Sequence, residues 1–204
     1  MNSEFYFHAW ASIASSSFYL IGSILFHPYF SKTPLLGTLS VISYLMASLL
    51  FLIDSLKQLL NSFENLTRGD VINNGTKSIQ IDQAVIFCVG TSSTISGILF
   101  TIASIAFYSS FGQSGLILGN WMFRTGATLV IINTTWLLIR MQINVGTSFT
   151  MLKLVTLLAM LGGWGFFIGT ALVLAGGNGV RYGSFCLIIG STFLLSSSVL
   201  LFRL

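Results

Sequence analysis

Charge is scarce in this chain. Lysine, arginine, aspartate and glutamate together supply 7% of its 204 residues, against roughly 25% in an ordinary soluble domain. Nine basic and five acidic side chains cannot coat a globule of 22.2 kDa, so a water-facing fold is excluded. A net charge of +4, thinly spread, makes no basic patch and excludes nucleic-acid binding as well. Proline is confined to Pro28 and Pro34, which leaves the remaining chain free to run as long helices. The two cysteines, Cys88 and Cys186, have neither metal-ligand spacing nor the context of a soluble disulfide, and read as small buried apolar residues. Recognisable chemistry is missing too. There is no HExxH, GxSxG or phosphate-binding loop, and Asp54 and Asp82 stand at the ends of apolar runs. A proton pump needs an acid near the bilayer midplane, and a voltage sensor needs several arginines on one helix; neither pattern is found. The chain therefore reads as non-enzymatic, with no catalytic residue, metal site or cofactor.

What remains is hydrophobic. Apolar residues reach 54% and the mean hydropathy is +0.88. Charge is absent from Phe5 to Ser31, Thr33 to Ile53, Gln83 to Phe123, Leu154 to Val180 and Tyr182 to Phe202. About 20 apolar residues cross the hydrocarbon core as a helix; each gap holds one span and the third nearly two. Runs such as Leu49-Leu50-Phe51-Leu52-Ile53 are apolar on every face, which rules out the alternation of barrel strands. The reading is all-α: a single polytopic transmembrane bundle over 1–204, with spans at about 8–27, 36–54, 84–108, 116–140, 152–175 and 182–203. The acidic start Met1-Asn2-Ser3-Glu4 lacks the basic region of a cleaved signal, so the first span is expected to stay as an anchor.

Short glycine-rich connectors at 111–115 and 176–179 favour tight turns, giving hairpins at about 8–54, 84–140 and 152–203. Between the first two hairpins lies a polar segment, 54–83, whose Leu56, Leu59, Leu60, Phe63 and Leu66 recur at helical spacing. It reads as an amphipathic helix at the membrane interface, ending near Gly69 before an Asn73-Asn74-Gly75 turn. Lys57, Arg68, Lys77, Arg140, Lys153 and Arg203 would share one side with both termini, against Lys32 and Arg181 opposite, and Arg124 if it belongs there. The excess predicts termini on the cytoplasmic or equivalent side, where the sequons at Asn65 and Asn74 would not be glycosylated. Trp10, Trp121, Trp136 and Trp164 fall near span ends as an aromatic belt.

The hairpins look alike. Tyr19-Leu-Ile-Gly22-Ser23, Phe100-Thr-Ile-Ala103-Ser104 and Phe166-Phe-Ile-Gly169-Thr170 each place a small pair after a bulky run. Gly37, Gly119 and Gly183 open the second helices, and Gly126 and Gly190 follow the last two by seven residues. Tyr19-Leu-Ile-Gly22-Ser23-Ile-Leu-Phe26 and Tyr182-Gly-Ser-Phe-Cys-Leu-Ile-Ile-Gly190-Ser191 resemble the YrhK-like domain, a two-helix membrane module with a Gly-Ser pair in each helix, from which the middle copy departs with Ala103-Ser104 and Gly126-Ala127. The resemblance would cover about two thirds of the chain, and it implies architecture only.

Two functions compete for the polar residues inside the spans. Arg124 lies within span 4, one turn after Asn120, with Asn133 deeper on the same helix; intramembrane charge usually marks function. The three could line a solute path or hold an anionic lipid, or Arg124 could snorkel to the interface. Ser93 with Gly97, and Gly165 with Gly169, have the small-xxx-small spacing of close helix packing. His8 and His27 stand near opposite ends of span 1, as interfacial residues or as axial ligands of a pigment. The favoured reading is a structural or accessory subunit assembling with itself or with other membrane proteins, bathed by bound lipid. The alternative is a small-solute transporter or channel with its path beside Arg124, Asn120 and Asn133.

Overall fold

The computed structural model describes residues 3–67, 77–108, 111–145 and 150–203, with side chains left undescribed at 3–5, 65–67, 77–84 and 143–145. Six helices and no strand occur among the described residues: α1 (Ser3–Phe26), α2 (Pro34–Thr67), α3 (Lys77–Ala106), α4 (Gly112–Val145), α5 (Met151–Ala175) and α6 (Asn178–Leu201). All six are long and apolar enough to cross a membrane, and the chain is a multi-pass membrane protein.

Local chemistry sets the helix ends. Pro28 stands two residues past the end of α1, and Pro34 occupies the first position of α2, where its missing N–H is no loss. Gly176 and Gly177 carry φ of 71° and 53° between α5 and α6, a backbone that side chains resist. Thr150 caps α5 by accepting from the Lys153 N–H.

One expectation changes here. The amphipathic stretch that starts at Asp54 continues α2, which runs unbroken to Thr67, about 51 Å at 1.5 Å per residue. Its polarity also differs from the reading above. Leu56, Leu60 and Phe63 face outward, while Asp54, Ser55 and Ser62 are buried. Gln58 and Glu64 remain exposed. The continuation past Thr67, including Gly69, the 73–75 turn and the sequon at Asn74, lies outside the described residues, as do the Asn65 and Asp82 side chains.

Each helix packs on its neighbour in sequence, and α1 closes on α6 to complete a ring. The ends of α1 and α6 meet where Trp10 and Phe202 bring their rings within 5.3 Å. Isoleucine, leucine and the tryptophans Trp10, Trp121, Trp136 and Trp164 face outward, and the buried polar set is mainly serine. Serine suits that place: it lets backbones approach closely, and its hydroxyl can return to a carbonyl of its own helix, as Ser104 does to Phe100 and Ser191 to Leu187.

The ring is filled at one level by one bulky residue from each helix: Tyr19, Tyr44, Phe100, Phe123, Phe166 and Leu187. Tyr19 lies 5.4–6.1 Å, centroid to centroid, from the four other rings, and Phe100 lies 4.6 Å from Phe123. These tilted and edge-on contacts are the favourable aromatic geometries. The axis is closed at this level.

Contacts around that layer recur from hairpin to hairpin. Ser15 donates to the Ala47 carbonyl at 2.8 Å, and Ser96 to the Gly126 carbonyl at 2.8 Å. In the third hairpin a Cβ on Gly162 would lie 3.1 Å from the Gly190 carbonyl. Between hairpins, Ser23 meets Ser191 at 2.9 Å and Ser104 meets Ser48 at 3.4 Å. The spacing behind these contacts aligns Ser40, not Gly37, with Gly119 and Gly183. Gly22 packs on Ser40 as Ala103 approaches Gly119 and Gly169 approaches Gly183, whereas Gly37 touches only Ser31 at 3.8 Å.

Candidate functional site

Above the aromatic layer, on the side of the helix ends that bring Trp10 to Phe202, the ring opens into a cavity of about 230 Å³. Phe51, Val130 and Leu194 line its lower part. Higher up stand Ser12, Ser16, Asp54, Asn133, Ser197 and Ser198, with His8 and Gln58. Asp54, Asn133 and Ser197 sit at equal distances beyond Ser40, Gly119 and Gly183, so α2, α4 and α6 each send one polar side chain to the same level. Each ties its own hairpin together: Asp54 to His8, Asn133 to Ser92 and Ser93, and Ser197 to the Val155 carbonyl.

The pair on hairpin one is ionisable. His8 Nδ1 lies 2.7 Å from Asp54 Oδ2 and 2.9 Å from Oδ1. A carboxylate only accepts, so Nδ1 carries the proton. Gln58 Nε2 approaches the same Nδ1 at 2.9 Å but cannot donate to a protonated nitrogen; its hydrogen bond goes to Asp54 Oδ2 at 3.0 Å. The Asp54 side chain is 8% exposed and that of His8 35%. No lysine or arginine lines the cavity among the described residues. Its one fixed anionic group is a buried carboxylate held by two donors.

The floor carries a further polar atom. Tyr19 lines the cavity, is 3% exposed, and its hydroxyl has no hydrogen-bond partner. Buried hydroxyls in folded proteins are nearly always bonded; among the described residues this one is not, and it lies buried within the aromatic layer beneath the cavity. The sequence reading missed Tyr19 as a cavity residue and the pairing of His8 with Asp54. A signal for the last two existed: His8 lies eighteen residues before the end of α1, and Asp54 twenty after the start of α2, so folding the hairpin at its prolines sets them side by side. Nothing in the sequence marks the Tyr19 hydroxyl.

The residues singled out from the sequence are dispersed. Asn120 is 2% exposed, donates to the Leu116 carbonyl, and borders a small gap of about 10 Å³ with Phe123 and Thr170. Asn133 belongs to the cavity. Arg124 belongs to neither; its guanidinium lies 4.4 Å from the Phe167 ring and 5.5 Å from that of Trp121. Asn120 and Asn133 thus border different cavities. Ser93 accepts from Asn133. The glycines serve contacts within the chain: a Cβ on Gly165 would lie 2.5 Å from Gly190 Cα, one on Gly169 2.9 Å from the Gly183 carbonyl, one on Gly97 3.0 Å from Leu52 Cα, and one on Gly126 2.7 Å from the Phe100 ring. His27 packs its ring 4.9 Å from Phe185 and accepts from the Tyr29 N–H, at the end of α1 remote from His8. No cluster of metal-ligating residues occurs among the described residues. Compared with protein families, curated proteins and solved structures, the chain matches none.

Proposed function

We propose that this chain is a non-enzymatic membrane protein of the transporter or channel class, binding a small cationic or neutral polar solute in the axial cavity. The observation that carries the reading is the cavity itself: space inside a membrane ring, lined in part by serine, asparagine and glutamine side chains and holding a paired carboxylate. Ionisable groups in such a place are costly and mark solute or proton paths. Asp54 is the lining group that selects charge, and it disfavours anions. The aromatic layer from Tyr19 to Phe166 acts as a closed gate, since an apolar constriction excludes water and ions.

The reading draws further support from the recurring contacts of the three hairpins, which we take as an internal triplication of the unit that resembles the YrhK-like module; repeats are a common origin of transporters. Membrane lipids are the surrounding partners, and the termini face the cytoplasmic or equivalent side. The structural or accessory role stands as a second reading, favoured by one feature, the sealed axis. Its main argument, the small-residue faces, is weakened because Gly97, Gly165 and Gly169 pack inside the chain.

Uptake of radiolabelled methylammonium and acetate into liposomes carrying the purified protein separates the two. The solute reading expects methylammonium uptake above that of empty liposomes, little acetate uptake, and loss of the signal in Asp54→Asn. Uptake of both probes at the level of empty liposomes would leave the accessory role in its place.

A further inference from the structure

A second concavity lies on the outside of the ring. Each of α3 and α4 contributes one stripe to it, Val85, Cys88, Val89 and Ser92 facing Leu129, Ile132, Asn133 and Trp136. Both stripes follow helical spacing, so they form a groove along the helix pair, of about 470 Å³. The groove and the axial cavity share Val89 and Asn133. Asn133 stands in the wall between them, accepting from Ser92 at 2.6 Å on the groove side and donating to Ser93 at 3.2 Å on the cavity side. One turn beyond Trp136, Arg140 holds its guanidinium 5.5 Å from the Trp136 ring.

We infer that this groove binds one acyl chain of an anionic phospholipid, with Arg140 on the phosphate and Trp136 at the depth of the ester groups. Two observations choose the occupant. The groove walls are mainly apolar and Ile132 is 57% exposed, on a helix long and apolar enough to cross a membrane. At its end stands a cation beside a tryptophan, the pair that favours the headgroup level and an anionic surface. The length agrees as well: the eleven helical steps from Leu129 to Arg140 rise about 17 Å, close to the roughly 15 Å of one hydrocarbon leaflet. Seated there, the chain covers Val89 and Asn133 from outside and seals the thin wall of the axial cavity. The site stands independently of the solute reading.

Native mass spectrometry of protein reconstituted into an equimolar mixture of phosphatidylcholine and phosphatidylglycerol, then released, tests it. Wild-type protein should retain phosphatidylglycerol in preference to phosphatidylcholine. Arg140→Gln should lower that preference about fivefold, the weight of one basic side chain at an anionic surface. Ile132→Trp, which fills the groove from an outward position, should lower retention of either lipid, while Arg124→Gln should change neither. Equal retention of both lipids by the wild type, or Arg140→Gln retaining the wild-type preference, would overturn the headgroup assignment. Unchanged retention in Ile132→Trp would overturn the placement of the chain.

Discussion

His8 and Asp54, forty-six residues apart in sequence, place Nδ1 and Oδ2 at 2.7 Å. The contact joins the first turns of α1 to the lower half of α2 and puts a charged hydrogen bond at the rim of the axial cavity. Such bonds contribute about 1.5–3 kcal/mol when formed, and a buried acceptor left bare costs a similar amount.

That asymmetry sets the first expected outcome. His8→Leu should lower the unfolding midpoint in detergent by more than His8→Leu combined with Asp54→Leu, because the single variant strands a carboxylate that keeps only Gln58. The coupling should fall near 1–3 kcal/mol, about that of a charged hydrogen bond. Additive losses in a double-mutant cycle would show that the pair is not formed.

Glycines give a second outcome, through contrast. Gly190 sits against Gly165, with a Cβ meeting the Gly165 Cα at 3.1 Å and the Gly162 carbonyl at 2.9 Å, whereas Gly37 has only the Ser31 carbonyl at 3.8 Å. Gly190→Val should destabilise by about 1–3 kcal/mol through overpacking, and Gly37→Ala should not destabilise at all. Thermal unfolding followed by circular dichroism reads both. Equal behaviour of the two variants would contradict the close approach of α5 and α6.

Arg124 provides a third. Its guanidinium rests on Phe167 and Trp121, away from the cavity. Arg124→Leu should leave methylammonium uptake within about twofold of wild type, the change being confined to a cation–π contact of about 0.5–1 kcal/mol. A tenfold loss of uptake, about 1.4 kcal/mol, would return Arg124 to the solute path.

These outcomes follow from features that the sequence displayed to different degrees. The six spans were legible because charge-free runs of bilayer length have one physical solution, a helix. The second and fourth helices extend further than their apolar cores, since helix continues wherever the backbone has no better partner; hydropathy alone does not see that. The small residues Gly165, Gly169 and Gly97 were legible as packing positions, but not whether their partner lay in the same chain. The polar residues of α4 separate for a simple reason. Residues one turn apart share a face only loosely, and Arg124 turns to the α5 surface while Asn120 turns to the core. Asp54 was hidden by its position at a span end, where a carboxylate usually meets water. Only the pairing of α1 with α2, and the ring that buries both, gives it a second role.

The account rests on the axial cavity being open to water from the side of the chain termini and shut at the aromatic layer. Ser198, which lines the cavity, and Phe123, which fills the layer below, are the positions to compare. With Cys88 and Cys186 replaced by serine, Ser198→Cys and Phe123→Cys should be treated with a membrane-impermeant methanethiosulfonate in liposomes. Rapid modification of Ser198→Cys, slowed by methylammonium, with Phe123→Cys unreactive, is the expected result. A Ser198→Cys protein as inert as Phe123→Cys would mean that the cavity is dry, and would contradict the proposed solute site.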